Sequence, residues 1–199
     1  MDYDYDVVIV GAGPVGGYAS RLLCERGLSV LMIEEHTEIG RPFQCAGLVT
    51  PSAMHAVEAY GTVVQDVDGA LIHGPSGTLV PVGKDGELRT YVVCRKRFDQ
   101  EVVQQGLKAG ADIVLESQPT DAVIHPDGVL VTIKNQRTKL EREVSCKLFI
   151  GCDGAHSWVR RKFKMGHPKE MMVGFQAEVV GYEGKNRWLE MYSGSEIAP

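Results

Sequence analysis

The chain has 199 residues, 44% of them hydrophobic and 24% charged, with a formal net charge of −5. This is an ordinary globular balance, long enough for one domain and part of another. The acidic balance and the lack of a long basic block argue against a nucleic-acid partner, and no apolar run reaches the roughly 18 residues of a membrane-spanning helix.

The first six residues, Met1 to Asp6, are acidic and lack the basic flank of a signal peptide, which makes a cytoplasmic location the default. Val7 to Val10 then form an unbroken apolar run that stops at glycine, the pattern of a strand buried on both faces. A helix is expected from Pro14 to Arg26, with Val15, Ala19, Leu22 and Leu23 on its apolar side and Gly27 at its end. Ser29 to Ile33 read as a second strand running into Glu34, which completes a strand–glycine loop–helix–strand unit.

Residues 38–50 are loop-like, and a short helix is expected after Pro51, through Ala53, Val57 and Tyr60. Residues 67–93 alternate between apolar patches and turn dipeptides, which suggests a small antiparallel excursion. A second strong helix is expected over 97–109, with Phe98, Val102, Val103 and Leu107 on one face and Gly110 as its cap. Strands are expected at 113–116, 120–125, 129–134, 140–145 and 147–150, and a short helix at 157–162. Two more strands are expected, at 173–180 and 187–192, with Met171 and Met172 read as core packing at their start. The last strand has no visible partner beyond it, so the chain reads as the N-terminal part of a longer protein.

Five cysteines at irregular spacing, with no C-x-x-C pair, indicate neither a zinc site nor a dithiol motif, and Cys24 and Cys146 read as small buried hydrophobes. The six histidines are scattered without metal spacing.

The chemistry begins at Gly11-Ala12-Gly13-Pro14-Val15-Gly16, a G-x-G-x-x-G between a buried strand and a helix. Gly11 permits the tight turn, Gly13 lets backbone approach a pyrophosphate, and Gly16 lets the helix pack on the strand. The helix N-terminus offers free N–H groups to phosphates. Glu34, about twenty residues on, stands where an acid would accept ribose hydroxyls, with Glu35 as the fallback. A second strand opens on glycine at Gly151-Cys152-Asp153-Gly154, with Asp153 at its carboxyl end, where open α/β sheets bind ligands.

Together with Arg95-Lys96-Arg97-Phe98-Asp99, these motifs resemble those of the flavin hydroxylase-like superfamily, and the resemblance spans residues 7–161. It implies FAD as the cofactor, with Asp153 contacting its ribityl chain and Arg95 reaching toward the flavin or its phosphates. The stretch Ile39-Gly40-Arg41-Pro42-Phe43-Gln44-Cys45-Ala46-Gly47 is similar to the geranylgeranyl reductase family in particular, and Gly74-Pro75-Ser76-Gly77 and Ser195 to Pro199 fit that family as well. Cys45, Ala46 and Gly47 would then line the flavin, and Cys45 would be placed to tune it or supply a proton. The full set of cofactor contacts so implied is Gly11, Gly13, Pro14, Val15, Gly16, Glu34, Glu35, Arg41, Cys45, Ala46, Gly47, Arg95, Ala122, Asp153 and Gly154, with Cys45 as the catalytic candidate and no metal.

The expected fold is α/β: a Rossmann-like FAD-binding domain with a parallel central sheet (1–66 and 94–166), plus part of an antiparallel-sheet substrate domain (67–93 and 167–199). The resemblance implies an oxidoreductase that reduces C=C bonds of geranylgeranyl chains on membrane-lipid precursors. It brings an isoprenoid lipid substrate, a peripheral membrane contact, and an electron donor that the sequence leaves open among reduced nicotinamide, deazaflavin and ferredoxin. The alternatives are an FAD-dependent monooxygenase of the aromatic-hydroxylase type, which shares the glycine loop, Arg95 and Asp153, and a non-catalytic FAD-binding fragment.

Overall fold

The apolar run at Val7 forms the middle of a six-stranded sheet in the computed structural model, which describes residues 3–42 and 45–194. The elements in chain order are β1 (Tyr5–Val10), α1 (Pro14–Cys24), β2 (Val30–Ile33), β3 (Leu48–Val49), α2 (Pro51–Val57), β4 (Val63–Val67), β5 (Gly69–His73), β6 (Leu79–Gly83), β7 (Thr90–Val93), α3 (Arg95–Lys108), β8 (Asp112–Val114), β9 (Ser117–His125), β10 (Gly128–Asn135), β11 (Glu141–Gly151), α4 (Trp158–Lys162) and β12 (Trp188–Tyr192). They fall into two units, one of residues 3–42 and 96–172, the other of residues 45–95 and 173–194.

The sheet of the first unit runs β8-β2-β1-β11-β10-β9. Its first four strands are parallel and the last two add an antiparallel hairpin. The continuous apolar run of β1 follows from cover on both faces. Val7 and Ile9 pack with Val30, Met32 and Val103 on one side, and Val8 and Val10 pack with Leu31, Ile33, Val131 and Val144 on the other. Alternate side chains of a strand point to opposite faces, so one strand feeds two cores, and each fully buried aliphatic contributes about 1.5–3 kcal/mol. Helices α1 and α3 approach closely, since a Cβ on Gly17 would lie 2.9 Å from Val103 Cα. Both helices end in the same hydrogen-bonded motif. Gly27 N–H donates to Cys24 O and Leu28 N–H to Leu23 O, while Gly110 N–H donates to Leu107 O and Ala111 N–H to Gly106 O.

The two strands expected at 140–145 and 147–150 are one strand, β11. Ser145 and Lys147 suggest a break in the apolar pattern, but they are the outward positions of an alternating strand. Ser145 donates from its N–H and hydroxyl to Asp4 (both 2.8 Å), Lys147 reaches Asp6 at 2.6 Å, and Cys146 between them is fully buried. That burial pushes the Cys146 thiol up to about 11. Cys24, expected to be buried as well, is half-exposed.

The second unit holds two three-stranded sheets, β12-β5-β6 and β3-β7-β4. β12 pairs with β5 in parallel, and the other pairs are antiparallel. Arg187, just before β12, grips Asp68 with two N–H groups (2.9 and 2.6 Å) and donates to Asp66 at 3.2 Å. Gly86 N–H adds a fourth bond, also to Asp68, at 2.9 Å. Helix α2 stops at Val57, short of the expected Tyr60, because Glu58 turns left-handed (φ 53°); Tyr60–Thr62 is a separate 3₁₀ turn. The strand expected at 173–180 is absent, and Val173, Phe175 and Val180 are each at least 95% exposed. Met171 and Met172, read as core packing, are exposed too. Apolar alternation makes a strand only where a neighbour supplies the hydrogen-bond ladder, and among the described residues none does so here. Among the described residues no helix is long and apolar enough to cross a membrane.

Two outcomes follow. Gly17→Ala gains at most about 1 kcal/mol of helix propensity but forces α1 from α3 at an overpacking cost of about 1–3 kcal/mol, so urea unfolding should show net destabilisation. In the second unit the Arg187 guanidinium holds the Asp68 carboxyl down to about 2. The stability this pair contributes is therefore complete above the ordinary carboxylate value of about 4 and is lost as pH falls toward about 2. Acid titration followed by circular dichroism should show Arg187→Met losing β structure at higher pH than the parent chain.

Candidate cofactor site

Backbone hydrogen bonds tie the carboxyl ends of the parallel strands into a row. Gly11 N–H donates to Ile33 O (2.8 Å), Cys152 N–H to Val10 O (2.7 Å) and Glu34 N–H to Val114 O (2.9 Å). Over this edge opens a cleft of about 410 Å³, walled by Val10–Gly13, Ile33–His36, Gly40–Pro42, Asp99, Ser117–Pro119 and residues from Cys152 to Arg161. It lies in the first unit, at the place where open α/β sheets hold ligands.

The three glycines have three separate physical duties. Gly11 sits at φ +94°, and a Cβ there would lie 2.4 Å from Cys152 O, so the first strand end can meet the Gly-Cys-Asp-Gly turn only without a side chain. A Cβ on Gly16 would lie 2.0 Å from Gly11 O, which locks the helix against the loop. A Cβ on Gly13 would meet no atom within 4 Å among the described residues, which leaves that side of the turn open to a ligand. No side chain caps α1, whose N-cap is Gly13, and its first turn carries no acid. The first N–H groups of a helix lack intrahelical partners and carry partial positive charge, which suits a diphosphate.

Two carboxylates flank that helix end. Asp153 accepts the N–H groups of Trp158 (2.6 Å) and Val159 (3.1 Å) with Oδ2. Its Oδ1 is buried with no hydrogen-bond partner among the described residues. A buried carboxylate oxygen left unbonded costs on the order of 1–3 kcal/mol or more, and a polyol chain entering the cleft would satisfy it. Glu34, 8% exposed, accepts the Ala12 N–H at 2.9 Å with Oε2. Its Oε1 faces His36, at 3.0 Å from the backbone N and 2.6 Å from Nδ1. The open glycine, the uncapped helix and the unbonded Asp153 oxygen together fit an elongated, phosphate-bearing, hydroxyl-rich cofactor such as FAD.

The loop at 38–42 is pinned from below. Lys96 and Gln100 of α3 both reach Glu38, and Gln100 also donates to Ile39 O at 3.2 Å. The Lys96 ammonium holds the Glu38 carboxyl below its usual range. Gly40, at φ +77°, lets the loop settle on Lys96, whose carbonyl would be 2.8 Å from a Cβ. Arg41 pairs with Glu38 at 3.3 Å.

Of the residues singled out from sequence, Gly11, Gly13, Glu34, Glu35, Arg41 and Asp153 meet in the cleft. Gly16 supports it from behind, and Pro14 and Val15 form the first turn of α1. Gly154, at φ +73°, has open space around its Cα next to Asp153. Ala122 is 4% exposed, packed in the sheet core on β9, and does not line the cleft. Arg95, Cys45, Ala46 and Gly47 belong to the second unit. There Gly47 has a duty of its own, because a Cβ would lie 2.3 Å from Val93 O. Phe43, Gln44 and Ser195 to Pro199 lie outside the described residues. Residues the sequence reading missed include His36, Asp99, Ser117, Gln118, Pro119, Trp158 and Arg161. Asp99 stood inside the Arg95 motif, and Gln118 and Pro119 follow a strand end of the same sheet, which was the available signal.

Comparison with known proteins agrees with this geometry. Residues 4–197 match the family model of the FAD binding domain. The digeranylgeranylglycerophospholipid reductase of Methanosarcina acetivorans is 34% identical over 98% of this chain and 49% of its own length. A geranylgeranyl bacteriochlorophyll reductase-like protein from Thermoplasma acidophilum, known from its crystal structure, superposes with a TM-score of 0.77 at 25% identity, over 96% of this chain and 50% of that one. Aklavinone-11 hydroxylase, solved with FAD and aklavinone, shares the fold at 19% identity, with a TM-score of 0.66 over 82% of this chain and 35% of its own. The chain spans about half the length of the curated relatives it matches.

The glycines give a paired test. Gly13→Val should lower the melting temperature by only a few degrees, the cost of a poorer N-cap, and weaken FAD binding at least about tenfold, read by quenching of flavin fluorescence, because the new side chain would face the ligand. Gly11→Ala should lower both, because its Cβ strikes backbone.

Proposed function

The chain belongs to the FAD-binding-domain family and its cofactor is FAD, and on that premise we propose that it is the flavin-holding part of an oxidoreductase that saturates carbon–carbon double bonds in geranylgeranyl chains of membrane-lipid precursors. The observation that carries this reading is 34% identity, across nearly the whole chain, to a digeranylgeranylglycerophospholipid reductase. In that role the cleft of the first unit holds the cofactor: Gly11 and Gly13 at the diphosphate, Glu34 at the adenosine ribose, Asp153 at the ribityl chain.

FAD supplies the redox chemistry when bound. The chain's own part is to orient the cofactor by these contacts and to deliver a proton to the substrate. Cys45, an exposed thiol at the start of the second unit, is the proposed donor. Arg95, Ala46 and Gly47 remain proposed flavin neighbours on the strength of the motif. Residues 1–66 and 94–166 are the proposed cofactor domain, and 67–93 and 167–199 the proposed part of a substrate domain. An isoprenoid lipid would be met at a membrane surface without a spanning helix. The electron donor is left open among nicotinamide, deazaflavin and ferredoxin.

The test uses the FAD-loaded chain, reduced chemically without oxygen and mixed with a geranylgeranyl-bearing glycerophospholipid. Mass spectrometry should show two hydrogens gained per saturated bond, and Cys45→Ala should slow that gain by about two to four orders of magnitude, the usual worth of a positioned proton donor. A yellow chain that consumes oxygen and yields hydroxylated product would overturn the reading.

A further inference from the structure

The wall of the cleft beside the glycine loop holds Glu34 more tightly than a ribose-binding acid requires. A carboxylate offers about four acceptor directions over its two oxygens. In Glu34 the Ala12 N–H takes one direction of Oε2 at 2.9 Å. The backbone N–H of His36 at 3.0 Å and its ring Nδ1 at 2.6 Å take both directions of Oε1. Because a carboxylate only accepts, Nδ1 must carry the hydrogen, and the ring's other nitrogen is turned from the acid.

The clamp is anchored on both sides. Glu34 O accepts the Ser117 N–H at 2.8 Å and His36 O accepts the Glu116 N–H at 3.0 Å, so the turn that carries both side chains is stitched to the segment between β8 and β9. Glu34 is nearly buried, and both Glu34 and His36 line the cleft. Among the described residues one acceptor direction stays open, on Oε2, the oxygen next to the glycine loop.

We infer that His36 is a positioning residue that fixes the Glu34 carboxylate in advance and leaves it able to accept one, and only one, hydroxyl of the adenosine ribose. This rests on the cleft holding the adenosine end of FAD. An unclamped glutamate could rotate and accept both hydroxyls. The clamp gives up the second bond and holds the carboxylate in place before the cofactor arrives.

The experiment compares ADP, 2′-deoxy-ADP and 3′-deoxy-ADP as competitors of FAD on the whole chain, read by recovery of flavin fluorescence. For the parent chain one deoxy compound should bind about tenfold more weakly than ADP, the usual loss for a hydrogen bond to a charged group, and the other within roughly twofold of it. In His36→Leu the freed Oε1 accepts the second hydroxyl, and both deoxy compounds should lose about tenfold. His36→Asn, whose amide can donate to the same oxygen, should restore the one-sided pattern. Equal penalties for both compounds in the parent chain, or an unchanged one-sided pattern in His36→Leu, would overturn the inference. If the Leu variant fails to fold, His36→Ala, which likewise removes the ring donor, carries the same expectation and decides it. Failure of ADP and FAD alike to bind the parent chain would instead remove the cofactor from this cleft, and the inference with it.

Discussion

The close approach of three backbone segments at the carboxyl edge of the parallel sheet sets everything else in the cofactor cleft. Gly11 meets the Cys152 carbonyl, and Gly16 meets the Gly11 carbonyl, at distances no Cβ could share. These contacts aim the bare N-terminus of α1 at the cleft and bring Asp153 to its side. A single added methyl at either glycine would push helix and strand apart, and a shift of about an ångström is enough to cost a binding site most of its complementarity. Gly13 is the counterpart: among the described residues nothing crowds it, and the space beside it stays open to a ligand.

Polar groups in the cleft then divide into those already satisfied and those that wait. Asp153 uses one oxygen to hold the start of α4 and keeps the other buried and unbonded. A fold does not leave a buried carboxylate oxygen unbonded without cause, since its desolvation is uncompensated. Glu34 is the opposite case: most of its acceptor capacity is already used by Ala12 and His36. One acid is prepared by vacancy and the other by restraint. The pinning of the 38–42 loop by Lys96 and Gln100 adds a third device, in which residues outside the cleft hold its wall in place.

The second unit is built on a different principle. Its sheets are small, and a half-buried ionic fork, Arg187 on Asp68 with Asp66 beside it, joins the segment before β12 to the strands around β5. Its apolar residues between 173 and 180 stand in water. The contrast with the first unit, where β1 and β2 carry continuous buried runs at the middle of the parallel sheet, is one of how much apolar surface each can bury by itself.

The sequence alone was enough for whatever depends on local chemistry. An unbroken apolar run ending in G-x-G-x-x-G announced a doubly covered strand, its helix and a dinucleotide site, and Glu34 and Asp153 could be named because each ends a readable strand. It misled where a pattern needed a partner to have meaning: 173–180 alternates like a strand but has no ladder among the described residues, and the strands read at 140–145 and 147–150 are one, with Ser145 and Lys147 held by Asp4 and Asp6 and Cys146 buried between them. Ala122, carried over from resemblance, lies in the core because its strand turns that face inward. Only the tertiary structure decided that Asp153 has a free oxygen, that His36 clamps Glu34, and that Ser117 to Pro119 wall the cleft. Such facts depend on which distant backbone atoms arrive within hydrogen-bonding distance, and periodicity along a chain carries no information about that.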